Sequence, residues 1–271
     1  MTLAYIVLAS LAGGVLSAVL AGLVASRVQP RLIPVIVSYA VGALLGVVFL
    51  DLLPHIFESG NDHHLAAGWI LAGILAFFVM EKLVLWRHDH DHAGAAEAAI
   101  AAADHGHAHH HAHAGSHGDH GRAASAWTII IGDGFHNFTD GFAIATAFMA
   151  DTRLGIVTAL AIVAHELPQE LGDFLVLVHS GFSRARAMFW NIMSSIATVL
   201  GALLAYFALQ TFSGMSTVFL CIAASSMIYV AIADLIPGLH RKSAIGDSLV
   251  QFALIALGVG SIVVVQTLIS H

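Results

Sequence analysis

Long apolar runs separated by short polar stretches recur eight times along the chain, at roughly residues 3–26, 34–57, 66–87, 127–150, 154–179, 185–209, 214–237 and 246–270. Each run approaches the ~20 apolar residues that carry a helix across the hydrocarbon core of a bilayer. The runs are too long and too uniformly apolar for barrel strands, and a helix satisfies its own backbone groups where water is absent. The first run is too long, and too poor in N-terminal charge, for a cleaved signal peptide. The pattern predicts an all-α integral membrane protein of eight transmembrane helices. Residues 1–87 hold helices one to three, 88–122 a loop, and 123–271 helices four to eight.

Charge orients the predicted helices. Of ten Lys and Arg residues, nine fall on one side of the expected membrane: Arg27, Arg31, Lys82, Arg87, Arg122, Arg184, Arg186, Arg241 and Lys242. Arg153 alone falls on the other. The excess of positive charge in cytoplasmic loops assigns the nine-residue side to the cytoplasm and both termini to the outside. An even number of spans requires the termini to share a side, so the two arguments agree. The expected home is a bacterial inner membrane.

Composition supports a lipid solvent. Hydrophobic residues make up 58% of the 271 residues and charged residues 10%, against about 25% charged in an ordinary soluble domain. The net charge of -7 is thinly spread and leaves no basic footprint for nucleic acid. The one cysteine, Cys221, excludes an internal disulfide framework. Histidine is the anomaly, with nineteen residues. Eleven of them lie between His88 and His120, in an Ala- and Gly-rich stretch that cannot build a core. This segment is expected to be a mobile cytoplasmic loop that traps metal weakly at many sites, since neutral imidazole is a common ligand for zinc and its neighbours.

Ionisable residues at membrane depth are expensive and mark water paths or ion sites. Here they concentrate on two helices, expected to sit at the centre of the bundle. Span four carries Asp133, His136, Asn137 and Asp140, and span five carries His165, Glu166, Gln169, Glu170 and Asp173. Spacings of three and four residues place each set on one helical face. His136 lies about 13 Å into span four from the cytoplasm, and His165 about 16 Å into span five from outside, at 1.5 Å per residue. The two sets therefore meet near the bilayer middle. Two imidazoles with carboxyl or amide oxygens suit Zn²⁺ and, less selectively, Fe²⁺, Mn²⁺, Co²⁺ or Cd²⁺. Pro168 removes a donor from the carbonyl of Ala164 and kinks the helix at the cluster. Asp51, His55 and Glu58 are candidates for an outer funnel, and His179, Asp234 and His240 for release to the cytoplasm.

The segments HNFTDG at 136–141 and HELPQELGD at 165–173 resemble the paired signatures of the ZIP metal transporters, in particular the LIV-1-like branch. GVVFLDLLPHIFE in span two and YVAIADLIP in span seven are also similar to that family. The resemblance implies a divalent metal transporter, zinc first, working by alternating access with a binuclear site between helices four and five. It places His136, His165 and Glu166 at the transport site, Asn137 and Asp140 in a neighbouring one, and Glu170 at the last Glu of the motif. Gln169 stands where the branch has His, which weakens a zinc ligand set and broadens it towards harder ions. The metal is substrate, with no organic cofactor; the partners are the ion and the bilayer, and a homodimer is one assembly considered.

Two other classes compete. An intramembrane zinc protease needs H-E-x-x-H, and Gln169 replaces its second histidine. A cation-diffusion exporter shares the HxxxD spacing of His136 and Asp140, but resembles six spans followed by a soluble domain.

Overall fold

The computed structural model describes residues 1–25, 27, 32–58, 62–103, 117–239 and 245–269; for 84–103, 117–126, 213, 245 and 246 it describes the backbone alone. The described elements are all helical. In chain order they are α1 (Thr2–Val24), α2 (Ile33–Glu58), α3 (His63–Ala103), α4 (His117–Ala150), α5 (Thr152–His179), α6 (Arg184–Thr211), α7 (Ser216–Leu239) and α8 (Ile245–Ile269).

Seven of them are long and apolar enough to cross a membrane. The expected fourth span, 127–150, lies within α4 and is not among the seven, because Asp133, His136, Asn137 and Asp140 offset its apolar residues. Residues 88–103 continue α3 and 117–122 begin α4, so much of the expected loop is helical. The alanine-rich composition of 88–103 favours a helix once the preceding span has nucleated it. Residues 104–116, and His240 among the release candidates, lie outside the described residues.

Helix ends are set locally. Pro34 occupies the first turn of α2, where its missing N–H costs nothing. Ser183 caps α6 by accepting from the backbone N–H of Arg186 at 3.3 Å. At the end of α5, Gly181 takes φ 96°, the Phe182 N–H reaches the Leu177 carbonyl at 3.1 Å, and the Phe182 ring packs with Phe174 and Leu177. π-turns interrupt α1 at Ala12–Leu16, α2 at Val48–Leu52 and α7 at Val230–Leu235. The last two precede Pro54 and Pro237, and a wider turn relieves the clash each ring makes with the carbonyl four residues back. Gln266 Nε2 lies 3.5 Å from one of those carbonyls, that of Leu50.

α4 packs most extensively on α6, with α5 and α1 completing that group, while α2 pairs with α8 and α3 with α7. Two crossings are backbone-tight. A Cβ on Gly141 would lie 1.7 Å from the Thr198 carbonyl oxygen, and one on Gly201 2.0 Å from that of Phe138. At the α2–α8 crossing a Cβ on Gly42 would lie 2.1 Å from the Ile255 carbonyl oxygen. Without a hydrophobic force between helices in lipid, such close approach of small residues supplies packing energy.

Candidate metal site

A one-residue turn places the polar faces against each other. Asp151 separates α4 from α5, is extended (φ -156°, ψ 140°), and caps α5 by accepting from the N–H groups of Arg153 at 2.8 Å and Leu154 at 3.1 Å. Gly155 allows the tight return, since a Cβ there would lie 2.2 Å from the Phe148 ring. The helices run antiparallel, so residues equally distant from Asp151 meet. His136 lies 15 residues before it, and His165 and Glu166 lie 14 and 15 after it. That is about 22 Å of helix from the turn.

There His136, Asp140, His165 and Glu166 present one ligand atom each, all within 4.8 Å of one another and all buried. His136 Nε2 is 3.3 Å from His165 Nε2, 3.3 Å from Glu166 Oε1 and 3.7 Å from Asp140 Oδ2. His165 Nε2 is 2.9 Å from Asp140 Oδ2. The Nδ1 atom of His165 faces the Ala161 carbonyl at 3.1 Å. A carbonyl only accepts, so Nδ1 carries the ring hydrogen, and Nε2 of the neutral ring offers its lone pair to the cluster. Asp140 Oδ2 and both Glu166 oxygens lack a hydrogen-bond partner, and the close approach of Asp140 to His165 does not have hydrogen-bond geometry. Buried acceptors converging without donors are costly. A cation removes that cost, and two imidazole nitrogens with two carboxylate oxygens are a fitting shell for a tetrahedral divalent metal.

The other sequence-selected residues of these helices lie beside the group. Asn137 and Glu170 join a network with α6. Asn137 Nδ2 donates to Asp133 Oδ1 at 2.9 Å and to Glu170 Oε1 at 3.4 Å, and Thr198 Oγ1 donates to Asn137 Oδ1 at 2.7 Å. Ser195 Oγ donates to Glu170 Oε1 at 2.7 Å, and Asn191 Nδ2 to the Glu170 carbonyl at 3.2 Å. Asp140, placed by resemblance in a neighbouring site, shares the group of His136 and His165. Gln169 is outside that group; it lines the adjoining cavity, and its Oε1 has no partner.

That cavity has a volume of about 480 Å³. Its wall includes Asp133, His136, Gln169 and Asp173 from the α4–α5 hairpin, Glu81 from α3, and Tyr229 and Asp234 from α7. Tyr229 donates its hydroxyl hydrogen to Glu81. Of the release candidates, Asp234 lies in this wall, while His179 is exposed and bonds the Leu175 carbonyl at 2.7 Å. Asp51, His55 and Glu58 do not line it.

Sequence reading missed Asn191, Ser195 and Thr198, although their spacing of four and three marks a polar stripe on an otherwise apolar span. Glu81 gave no such signal, since the residues three and four positions away on either side of it are all apolar.

A sequence profile described as ZIP Zinc transporter matches residues 1–266. The chain belongs to the ZIP zinc transporter family. Among curated ZIP relatives, Zinc transporter zipt-7.2 of Caenorhabditis elegans is 33% identical over 263 residues, covering 84% of this chain and 57% of the worm protein. Zinc transporter ZIP13 homolog of Drosophila melanogaster is 27% identical over 281 residues, covering 89% and 79%. Human Zinc transporter ZIP10 is 39% identical over 117 residues, 43% of this chain and 14% of that protein. The chain thus spans little more than half of the worm protein and a small part of the human one. The ZIP10 and ZIP13 relatives belong to the LIV-1 branch. All three are animal proteins and lend no support to a bacterial source. Members of the ZIP family are transporters and not enzymes, so the protease reading loses its footing.

Proposed function

We propose that this chain moves a divalent metal, zinc first, across the membrane into the cytoplasm by alternating access. The observation that carries the reading is the convergence of four buried ligand atoms, on His136, Asp140, His165 and Glu166, at the wall of a cavity. A transport site must hold a dehydrated ion briefly and still connect to water. The cavity wall contains Glu81, next to Lys82, and Thr128 near the start of span four, which lie on the side of the nine basic residues. The positive-inside argument makes that side the cytoplasm, so the conformation corresponds to release. Both termini then face outward and eight helices cross the membrane, α4 included. Fe²⁺, Mn²⁺, Co²⁺ and Cd²⁺ fit the same mixed nitrogen and oxygen shell with lower preference. The four ligand atoms belong to one chain, so a homodimer would carry two separate paths.

Uptake of radioactive zinc into proteoliposomes containing the full chain tests the reading. Wild-type protein should accumulate zinc down its gradient, and His165→Ala should reduce the rate at least tenfold. Absence of uptake by correctly folded wild-type protein would overturn it.

A further inference from the structure

Asn137 is oriented in a way that argues against metal ligation. Its amide nitrogen donates to the Asp133 carbonyl at 3.1 Å, to Asp133 Oδ1 at 2.9 Å and to Glu170 Oε1 at 3.4 Å. Its amide oxygen is occupied by the Thr198 hydroxyl at 2.7 Å. A metal binds an amide through oxygen, because the nitrogen carries only donors. Asn137 therefore turns its non-ligating end towards the two carboxylates. Reversing the amide would set its oxygen against three acceptor oxygens.

Thr198 has little room to move. A Cβ on Gly14 would lie 2.5 Å from Thr198 Oγ1, and one on Gly141 1.7 Å from the Thr198 carbonyl oxygen, so α1 and α4 press on this residue. Glu170 is held from the same helix, since Ser195 donates to the carboxylate oxygen that Asn137 also reaches. The side chains α6 sets around Glu170 and Asn137 — Asn191, Ser195 and Thr198 — are all neutral. Among the described residues only the His136 group gathers three or more His, Cys, Asp or Glu ligand atoms.

We infer that Thr198 and Ser195 are positioning residues that keep a second, all-oxygen ion site at Asn137 and Glu170 shut, so that the transport site takes one metal ion at a time. The inference rests on the His136 group being the transport site. Ser195, whose hydroxyl also lies 2.6 Å from the Asn191 carbonyl, and Asn137 direct hydrogens at Oε1 of Glu170, so a cation there would find the unpartnered Oε2 alone, with no amide oxygen beside it. Removing the Thr198 hydroxyl frees the Asn137 oxygen to turn towards Glu170 and completes the second site.

Zinc bound per full-length chain, measured by equilibrium dialysis, reads this directly as differences, because histidines 88–120 contribute equally to every variant. Thr198→Val should bind about one more zinc than wild type, and Thr198→Ser, which keeps the hydroxyl, should match wild type. Zinc-edge anomalous maps of the same proteins should show one peak at the His136 group in wild type and a second beside Glu170 in Thr198→Val. A second peak beside Glu170 in wild type overturns the inference, and so does an unchanged count in folded Thr198→Val; Thr198→Ala serves if the valine variant does not fold. Absence of any peak at the His136 group would instead defeat the transport-site reading on which the inference stands.

Discussion

Two buried polar clusters sit side by side on α4 and α5, each built around buried carboxylates, yet they are satisfied to different degrees. In the first, His136, Asp140, His165 and Glu166 converge, and Asp140 Oδ2 and both Glu166 oxygens lack donors. In the second, Asn137 donates to Asp133 and to Glu170, Ser195 donates to Glu170 and Thr198 to Asn137, and only Oε2 of Glu170 is left without a partner. Buried carboxylates do not separate them, since each cluster contains them, although both histidines belong to the first. Neighbouring donors do. Where α6 supplies hydroxyls, most of the cluster is tied into a hydrogen-bond network; where it supplies none, three carboxylate oxygens are left without hydrogen bonds, two of them beside imidazole nitrogens.

The contrast breaks most visibly through function and stability together. Glu166→Gln removes a ligand charge from the open cluster, and zinc uptake should fall about 100-fold or more. Metal-free stability should hold or rise, because the replaced oxygen has no partner to lose. If its thermal unfolding in detergent drops sharply instead, the open cluster was satisfied after all. Ser195→Ala should behave in reverse. It removes the shorter of two hydrogen bonds to a fully buried carboxylate oxygen, a loss of about 1–3 kcal/mol, visible as a lower melting temperature, while uptake declines only severalfold. Equal losses of stability in the two variants would erase the distinction.

Gln169 probes the border between cluster and cavity. Its unpartnered oxygen lies in the wall beside His136. Gln169→His adds imidazole, a better zinc ligand than an amide, so the KM for zinc should fall about two- to fivefold, an estimate from ligand preference. The preference for Zn²⁺ over Mn²⁺ should rise, with an unchanged or reduced maximal rate. The smallest effect is expected outside both clusters. Deleting residues 93–120 removes eight of the eleven histidines of that segment but no member of either cluster. Uptake at saturating zinc should stay within about twofold of wild type, since transport needs fixed ligands at the buried group rather than additional histidines outside it. Complete loss in a folded, inserted protein would move those histidines into the path.

Much of this protein was legible in one dimension. Apolar runs of membrane length announce helices because lipid leaves the backbone no other partner. Residues of α4 and α5 at three- and four-residue spacing announce a polar face because helical periodicity is local. Even the meeting of His136 with His165 follows from their nearly equal distance to Asp151, once the turn is known to be one residue long. What the chain could not disclose was which side chains ended up satisfied. Asp140 joins the His136 group, Gln169 stands in the cavity wall, and Asn137 turns its oxygen to Thr198, 61 residues away in sequence. Glu81 reaches the same cavity through Tyr229, 148 residues away. Those outcomes depend on helix crossings set by Gly14, Gly141 and Gly201, where the approach of one backbone to another decides which donors lie within reach. Hydrogen bonds act over about 3 Å, so their partners are chosen by tertiary packing, while the existence of the helices and the extent of their apolar runs were already decided by the order of apolar and polar residues.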